Sequence, residues 1–181
     1  FPNVSDFSQL RFIEVAGNEF TGSLPEVDPN NPTLNIVTFS GNNFNGTIPE
    51  SWGQLADGMF RRGMRIDNNE IEGKIPARLG ELVVERFRVY NNKFVFADLI
   101  ETVEILQNNP DQEDPRGIDF APQKPFGHAT TITLSPGQTF YYDFSDKSHV
   151  DDTYQWTKDG VALSGQNSAT ITISNVQSSD A

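Results

Sequence analysis

The chain contains no cysteine. Disulfides, thiolate zinc sites and cysteine nucleophiles are therefore excluded, and the disulfide-bearing extracellular domains of eukaryotes are disfavoured. Basic side chains are scarce, 13 against 25 acidic ones, for a formal net charge of -12 over 181 residues. That balance argues against nucleic acid and against anionic membrane surfaces as partners. No apolar run approaches the roughly 20 residues that span a bilayer, so membrane insertion by this segment is not expected. Histidine occurs twice, at His128 and His149, in stretches that read as linker and loop. Metal-ligand spacing, a nucleophile elbow and a phosphate-cradling glycine loop are all missing from the sequence. The chain is accordingly expected to be neither an enzyme nor dependent on a cofactor.

What the chain has is a phrase written three times: Asn18-Glu-Phe-Thr-Gly22-Ser-Leu-Pro25, Asn42-Asn-Phe-Asn-Gly46-Thr-Ile-Pro49 and Asn69-Glu-Ile-Glu-Gly73-Lys-Ile-Pro76. The Asn-to-Asn steps are 24 and 27 residues, and a fourth copy at Asn92 follows after 23. A period of that size is the mark of a repeat architecture. Apolar residues stand five and three places before each Asn: Ile13 and Val15, Val37 and Phe39, Met64 and Ile66, Phe87 and Val89. Such alternation places two side chains inward on a short strand. The recurring Asn is expected to turn the chain off the strand and to bond backbone groups of neighbouring copies. Gly22, Gly46 and Gly73 suit a tight bend, and Pro25, Pro49 and Pro76 fix the start of the outer segment.

The full unit resembles the leucine-rich repeat, in the subtype known from plant receptors and from bacterial surface proteins. The resemblance implies an α/β leucine-rich-repeat solenoid, a parallel β-sheet with a mostly irregular outer face, over residues 1–124. The second repeat carries three extra residues around Ala56-Asp57-Gly58-Met59 and a charged Arg61 at an apolar position, which predicts a bulge. The fourth copy departs into Asn92-Lys-Phe-Val-Phe-Ala-Asp-Leu99, which with Phe120-Ala-Pro-Gln123 is similar to the C-terminal closures of Bacteroidetes-type surface proteins. Between them lies a polar loop, residues 108–115, whose carboxylates lack the alternation of an EF-hand and read as solvated.

After Pro125 the pattern changes to short strands, Thr130–Leu134, Thr139–Phe144 and Ala169–Val176, around Tyr154-Gln-Trp156-Thr-Lys-Asp-Gly160. Residues 125–181 resemble an immunoglobulin-like domain without cysteine. The resemblance implies that Trp156 is its core tryptophan, packed with Phe140, Tyr142 and Phe144. In that family Ser-Asp-Ala is followed by two further strands, which are absent here, and Phe1-Pro2 looks like the end of an earlier repeat. The chain is therefore expected to be an internal piece of a longer extracellular or cell-surface protein.

Solenoids commonly bind on the concave sheet face. Its exposed positions are expected at Phe12, Glu14 and Ala16, Ile36, Thr38 and Ser40, Gly63, Arg65 and Asp67, and Arg86, Arg88 and Tyr90. Three arginines on an acidic chain stand out, because guanidinium groups bond carboxylates and phosphates bidentately. Arg65, Arg86, Arg88 and Tyr90, with Phe12 and Glu14, are the candidate contacts for a protein partner or an anionic glycan. The plainer expectation is that these arginines pair with Glu85, Asp67 and their neighbours as a solvated face. A stalk without a ligand is the remaining alternative. Trp52 reads as core. The sequons at Asn3 and Asn45 matter only in a glycosylating host.

Overall fold

In the computed structural model, residues 1–56, 62–82, 85–109, 118–125, 131–145, 148 and 152–180 are described. The 57–61 insertion, both histidines and most of the 108–115 loop lie outside them. The chain divides into two compact units, Phe1–Phe126 and Gly127–Ala181.

The first unit is built from a strand repeated at each copy of the Asn phrase. Strands β1 (Phe12–Glu14), β3 (Ile36–Thr38), β5 (Gly63–Arg65), β7 (Phe87–Arg88) and β8 (Ile118–Asp119) pair in parallel, in that order. Their inward residues Ile13, Val37, Met64 and Phe87 are buried, as are Phe39, Ile66 and Val89 just beyond them. The Asn amides then tie one copy to the next. Asn69 Nδ2 donates to the carbonyls of Phe39 and Ile66, both at 3.0 Å, and of Asp67 at 3.2 Å, while its Oδ1 accepts from Phe44 N at 3.0 Å. Asn42 and Asn92 repeat the same set. Asn18 is exposed, and among the described residues its side chain bonds its own turn alone, through Val15 O and Ala16 O.

The position before each Asn carries its own backbone demand. Gly17, Gly41, Asn68 and Asn91 have φ of 69°, 66°, 57° and 52°. A left-handed residue is required there at every turn, and glycine and asparagine adopt it most readily.

The side of the repeat away from this sheet is more regular than the sequence suggests. Strands β2 (Thr21–Ser23), β4 (Asn43–Gly46) and β6 (Glu70–Ile71) form a second parallel sheet, of three strands. These residues are the Asn-x-apolar-x-Gly phrase itself. They run extended toward Gly22, Gly46 and Gly73, at φ of 85°, 76° and 79°. Extended backbone at the same height in successive copies leaves N–H and C=O groups that the next copy satisfies. Short helices follow, α1 (Glu50–Gly53) and α2 (Leu79–Leu82), and then the 13-residue α3 (Phe96–Asn108). The mostly irregular outer face is thereby corrected to a second sheet and three helices. Helix α3 buries Leu99, Thr102, Val103 and Leu106, a one-face spacing. The Asp98 carboxylate accepts from Val95 N–H at its start.

The core lies between the two sheets. An aromatic group fills its early turns: Phe39 and Phe44 meet edge to face at 5.3 Å, and Phe39 lies 5.9 Å from Trp52. Trp52 is fully buried and donates its indole N–H to Pro25 O at 2.9 Å.

Gln123 continues the amide ladder beyond the last Asn. Its Oε1 accepts from Asn92 N at 3.1 Å, and its Nε2 donates to Val89 O at 3.1 Å and to Phe120 O. Next to it, Lys124 reaches back to Asn69 O at 2.7 Å and to the Glu70 carboxylate, which Lys93 also contacts at 3.0 Å. The hydrogen bond from Lys124, then that from Lys93, holds Glu70 below the usual glutamate range. A depressed folded-state value stabilises the fold above the unfolded value and loses that effect as pH falls through the folded one. Glu70 is partly exposed, so Glu70→Gln should lower stability at neutral pH by about 1 kcal/mol or less. Thermal midpoints of the two proteins measured from pH 7 downward should converge as pH falls below the unfolded glutamate value of about 4.3 and through the lower folded one. A difference that does not narrow as pH falls would mean the carboxylate charge is not the source.

In the second unit, β9 (Phe140–Asp143) pairs antiparallel with β12 (Thr170–Ile173), and β10 (Thr157–Lys158) with β11 (Val161–Ala162). The β10–β11 turn has Asp159 and Gly160 at φ of 49° and 77°, which suits a right-twisted hairpin. Trp156 lies 6.0 Å from the Tyr142 ring and donates its indole N–H to Ser168 O at 2.8 Å. Several expectations are corrected here. Residues 131–134 form no strand, Trp156 is half-buried, and Tyr142 is 45% exposed. Among the described residues Ile171 is the one buried apolar side chain of the unit. Two two-stranded ribbons offer too little face to cover an indole on both sides, whereas a sandwich core needs two sheets packed about 10 Å apart.

Candidate functional site

The outer face of the five-stranded sheet carries the candidate residues. Strand register aligns them in rows. One row runs Glu14, Thr38, Arg65, Arg88, Asp119 across five adjacent strands. Neighbours in such a row stand about 4.8 Å apart along the hydrogen-bonding direction. A second row begins with Phe12, Ile36 and Gly63, and Arg86, two residues before Arg88, faces the same way. The third contains Ala16, Ser40, Asp67 and Tyr90.

The expected exposure holds only in part. Phe12, Glu14, Ala16 and Arg86 are exposed, and Ile36, Ser40, Arg65, Arg88 and Tyr90 are half-buried. Thr38, Gly63 and Asp67 are buried. Asp67 is closed in by its hydrogen bonds, since Ser40 Oγ and Asn68 Nδ2 donate to its two oxygens at 2.7 Å each. It is thus engaged elsewhere and pairs with no arginine among the described residues. Gly63 is covered by Arg86: a Cβ at Gly63 would stand 2.7 Å from Arg86 O and 2.9 Å from Arg86 Cβ. With φ at 125°, Gly63 takes a conformation other residues avoid. The bond from Met64 N to Arg86 O, 2.8 Å, needs this close approach.

The arginines are not equivalent. Arg88 Nε lies 3.1 Å from Asp119 Oδ2. The contact is an ion pair, although the N–H is not aimed along it, because Nε is buried without a hydrogen-bond partner. Arg65 Nε is likewise buried and unpartnered, and Arg65 makes no ion pair among the described residues. Burial, and then the charges of Arg86 and Arg88, press Arg65 below its ordinary value, while Asp67 and Glu14 pull the other way. A desolvated cation among like charges is unfavourable in the free protein and would be relieved by an incoming anion.

Phe12 and Tyr90 do not sit together. The Arg11 guanidinium carbon lies 5.6 Å from the Phe12 ring centroid, a cation–π contact that already occupies one side of that ring. The sequence reading misses Asp119 as the partner of Arg88. The signal is present: Ile118 and Phe120 stand five and three places before Gln123, as Phe87 and Val89 stand before Asn92. A fifth copy read from Gln123 would have put Asp119 beside Arg88. Among the described residues no group of acidic, histidine or cysteine side chains could hold a metal ion, and no helix is long and apolar enough to cross a membrane.

These features define a repeat-built α/β unit whose sheet face presents cations on an acidic chain. Residues 33–55 match the Leucine Rich Repeat family. The matched stretch runs from just before β3 through α1, and a leucine-rich repeat is present there. No curated protein matches the chain.

Proposed function

We propose that the chain is a non-catalytic recognition module that binds a protein partner on the outer, concave face of the five-stranded sheet. The observation carrying this reading is the arginine group on that face, with the Arg65 Nε buried and unpartnered on a protein of net charge -12. Proteins with leucine-rich repeats commonly bind other proteins, which supports the same choice. Phe12, Glu14 and Tyr90 complete the contact surface.

In this proposal the module belongs to an extracellular or cell-surface adhesion protein of Bacteroidetes type, and the second unit is an immunoglobulin-like spacer. The β9–β12 pair, the Asp159-Gly160 hairpin and the Trp156–Tyr142 contact support that part. The alternative is a glycan-binding accessory of a polysaccharide-capture system, for which Phe12 and Tyr90 are the stacking candidates. A stalk without a ligand is the remaining alternative.

A display selection for protein ligands, run beside a glycan array, tests the reading. Protein binders that lose affinity for the Arg65→Ala/Arg88→Ala variant are the expected result. Binders indifferent to both substitutions would reject the face. Array hits that depend on Phe12 or Tyr90 would move the assignment to glycan.

A further inference from the structure

We propose that Arg65 and Arg86 act together as a clamp for a single carboxylate of a protein partner, an aspartate or glutamate side chain, and that Gly63 positions the pair. The inference rests on the recognition face proposed above and specifies its chemistry. Three observations single out these two arginines from the three. Arg88 already has its counter-ion in Asp119, 3.1 Å away on the next strand. Arg65 makes no ion pair among the described residues, and its Nε is buried with no hydrogen-bond partner. Arg86 is exposed and makes no ion pair among the described residues.

Gly63 brings the two together. It immediately precedes Met64 and Arg65 on β5, and the space a side chain would fill is taken by the Arg86 backbone, with Arg86 O 2.7 Å from the position of a Cβ. The residue just before β7 is thereby drawn in against β5. Arg86 and Arg88 face the same side of their strand, so Arg65 is flanked by both. One of the flanking charges is neutralised and the other is not. The unneutralised side is where an anion gains most, because it relieves the repulsion between Arg65 and Arg86 while accepting their N–H groups.

The clamp is assigned to a protein carboxylate and not to a charged sugar because of its surroundings. Beyond Gly63 the same row continues into Ile36 and Phe12, which are apolar. Phe12 has the Arg11 guanidinium over its ring, and Tyr90 is half-buried on another row. The two rings therefore do not form one stacking platform beside the cations. An acidic side chain flanked by apolar residues fits a cation pair beside an apolar strip.

The test uses the full chain with 15N-labelled arginine and follows the Nε–Hε signals by NMR. The probe is a capped Gly-Asp-Gly peptide, with capped Gly-Asn-Gly as control and methyl glucuronide as the sugar acid. The Arg65 and Arg86 signals are expected to shift and saturate with the aspartyl peptide, and Arg88 to move little. Arg86→Ala should weaken the peptide by roughly tenfold. Asp119→Asn should recruit Arg88, whose signal then shifts and whose contribution tightens binding.

Equal response to the asparagine peptide, a dominant Arg88 shift, or unchanged affinity in Arg86→Ala would overturn the clamp. Tighter binding of methyl glucuronide than of the peptide would overturn the protein assignment. Protein ligands that depend on Arg88 but not on Arg86 would leave the recognition face standing and remove the clamp alone.

Discussion

Asn69→Ala is expected to destabilise the repeat unit by about 3–5 kcal/mol, a sum of lost hydrogen bonds and a buried orphan. The side chain is fully buried and makes four hydrogen bonds to backbone. Their loss is unequal in kind. The three carbonyls it serves keep other donors: Asn42 Nδ2 for Phe39, Asn92 Nδ2 for Ile66 and Gly41 N for Asp67. The N–H of Phe44 does not, because Asn69 Oδ1 is its acceptor. The substitution therefore strands a buried donor at the start of β4 and opens a void beside it.

Asn69→Asp separates the two effects. Its carboxylate still accepts from Phe44 but faces three carbonyl oxygens with no proton to offer. In the fold its pKa must rise, so the variant should lie closest to the parent below the unfolded aspartate value of about 3.9 and fall behind as pH increases. Denaturant melts of parent and both variants at pH 3.5 and pH 7 read this directly. A loss below about 1 kcal/mol for Asn69→Ala would show that the ladder is ornamental.

Trp52→Ala should be comparably severe, about 3–5 kcal/mol, since it empties the largest fully buried side chain of the core. Trp52→Phe keeps most of the apolar contact with Phe39 but removes the donor to Pro25 O. It is expected to cost about 1–2 kcal/mol, mainly for the unpaired carbonyl. The chain has two tryptophans, one in each unit. Fluorescence of Trp52→Phe then reports Trp156 alone, while far-UV circular dichroism follows both units together. If Trp52→Ala melts within a degree or two of the parent, the aromatic group does not anchor the early turns.

Much of the repeat unit is legible because its signals are demands of the backbone. A buried turn that needs its carbonyls and N–H groups satisfied selects Asn at 42, 69 and 92, and short strands select apolar residues five and three places earlier. The same logic reaches Gln123, but a glutamine carries the amide one methylene further out, and a reading keyed to Asn stops one copy short. Helix α3 is visible afterwards in the spacing of Leu99, Thr102, Val103 and Leu106. It is hidden at first by Phe94 to Leu99, which reads as an interrupted repeat. The second sheet leaves a fainter trace. Its residues are chosen for the turn that follows, and their pairing depends on neighbours 22 and 25 positions away.

At the site, the sequence places the arginines on one face but not their partners. Asp119 lies 31 residues beyond Arg88, and Asp67, the nearer candidate, is claimed by Ser40 and Asn68. Composition alone could not show that one arginine of three is compensated. In the second unit, Tyr142 and Trp156 are residues that usually sit inside. Their partial exposure follows from how little sheet surrounds them, which no local pattern reports.

Lys124 gives the repeat unit a property that nearest-neighbour stacking lacks. Its backbone N–H bonds Asn92 O, while its ammonium group bonds Asn69 O one turn further back. A linear array whose units touch only adjacent units loses its end turns one at a time. A side chain that skips a turn couples the last two, so neither opens without releasing the other. The end nearest Lys124 thereby behaves as one cooperative block, two turns thick.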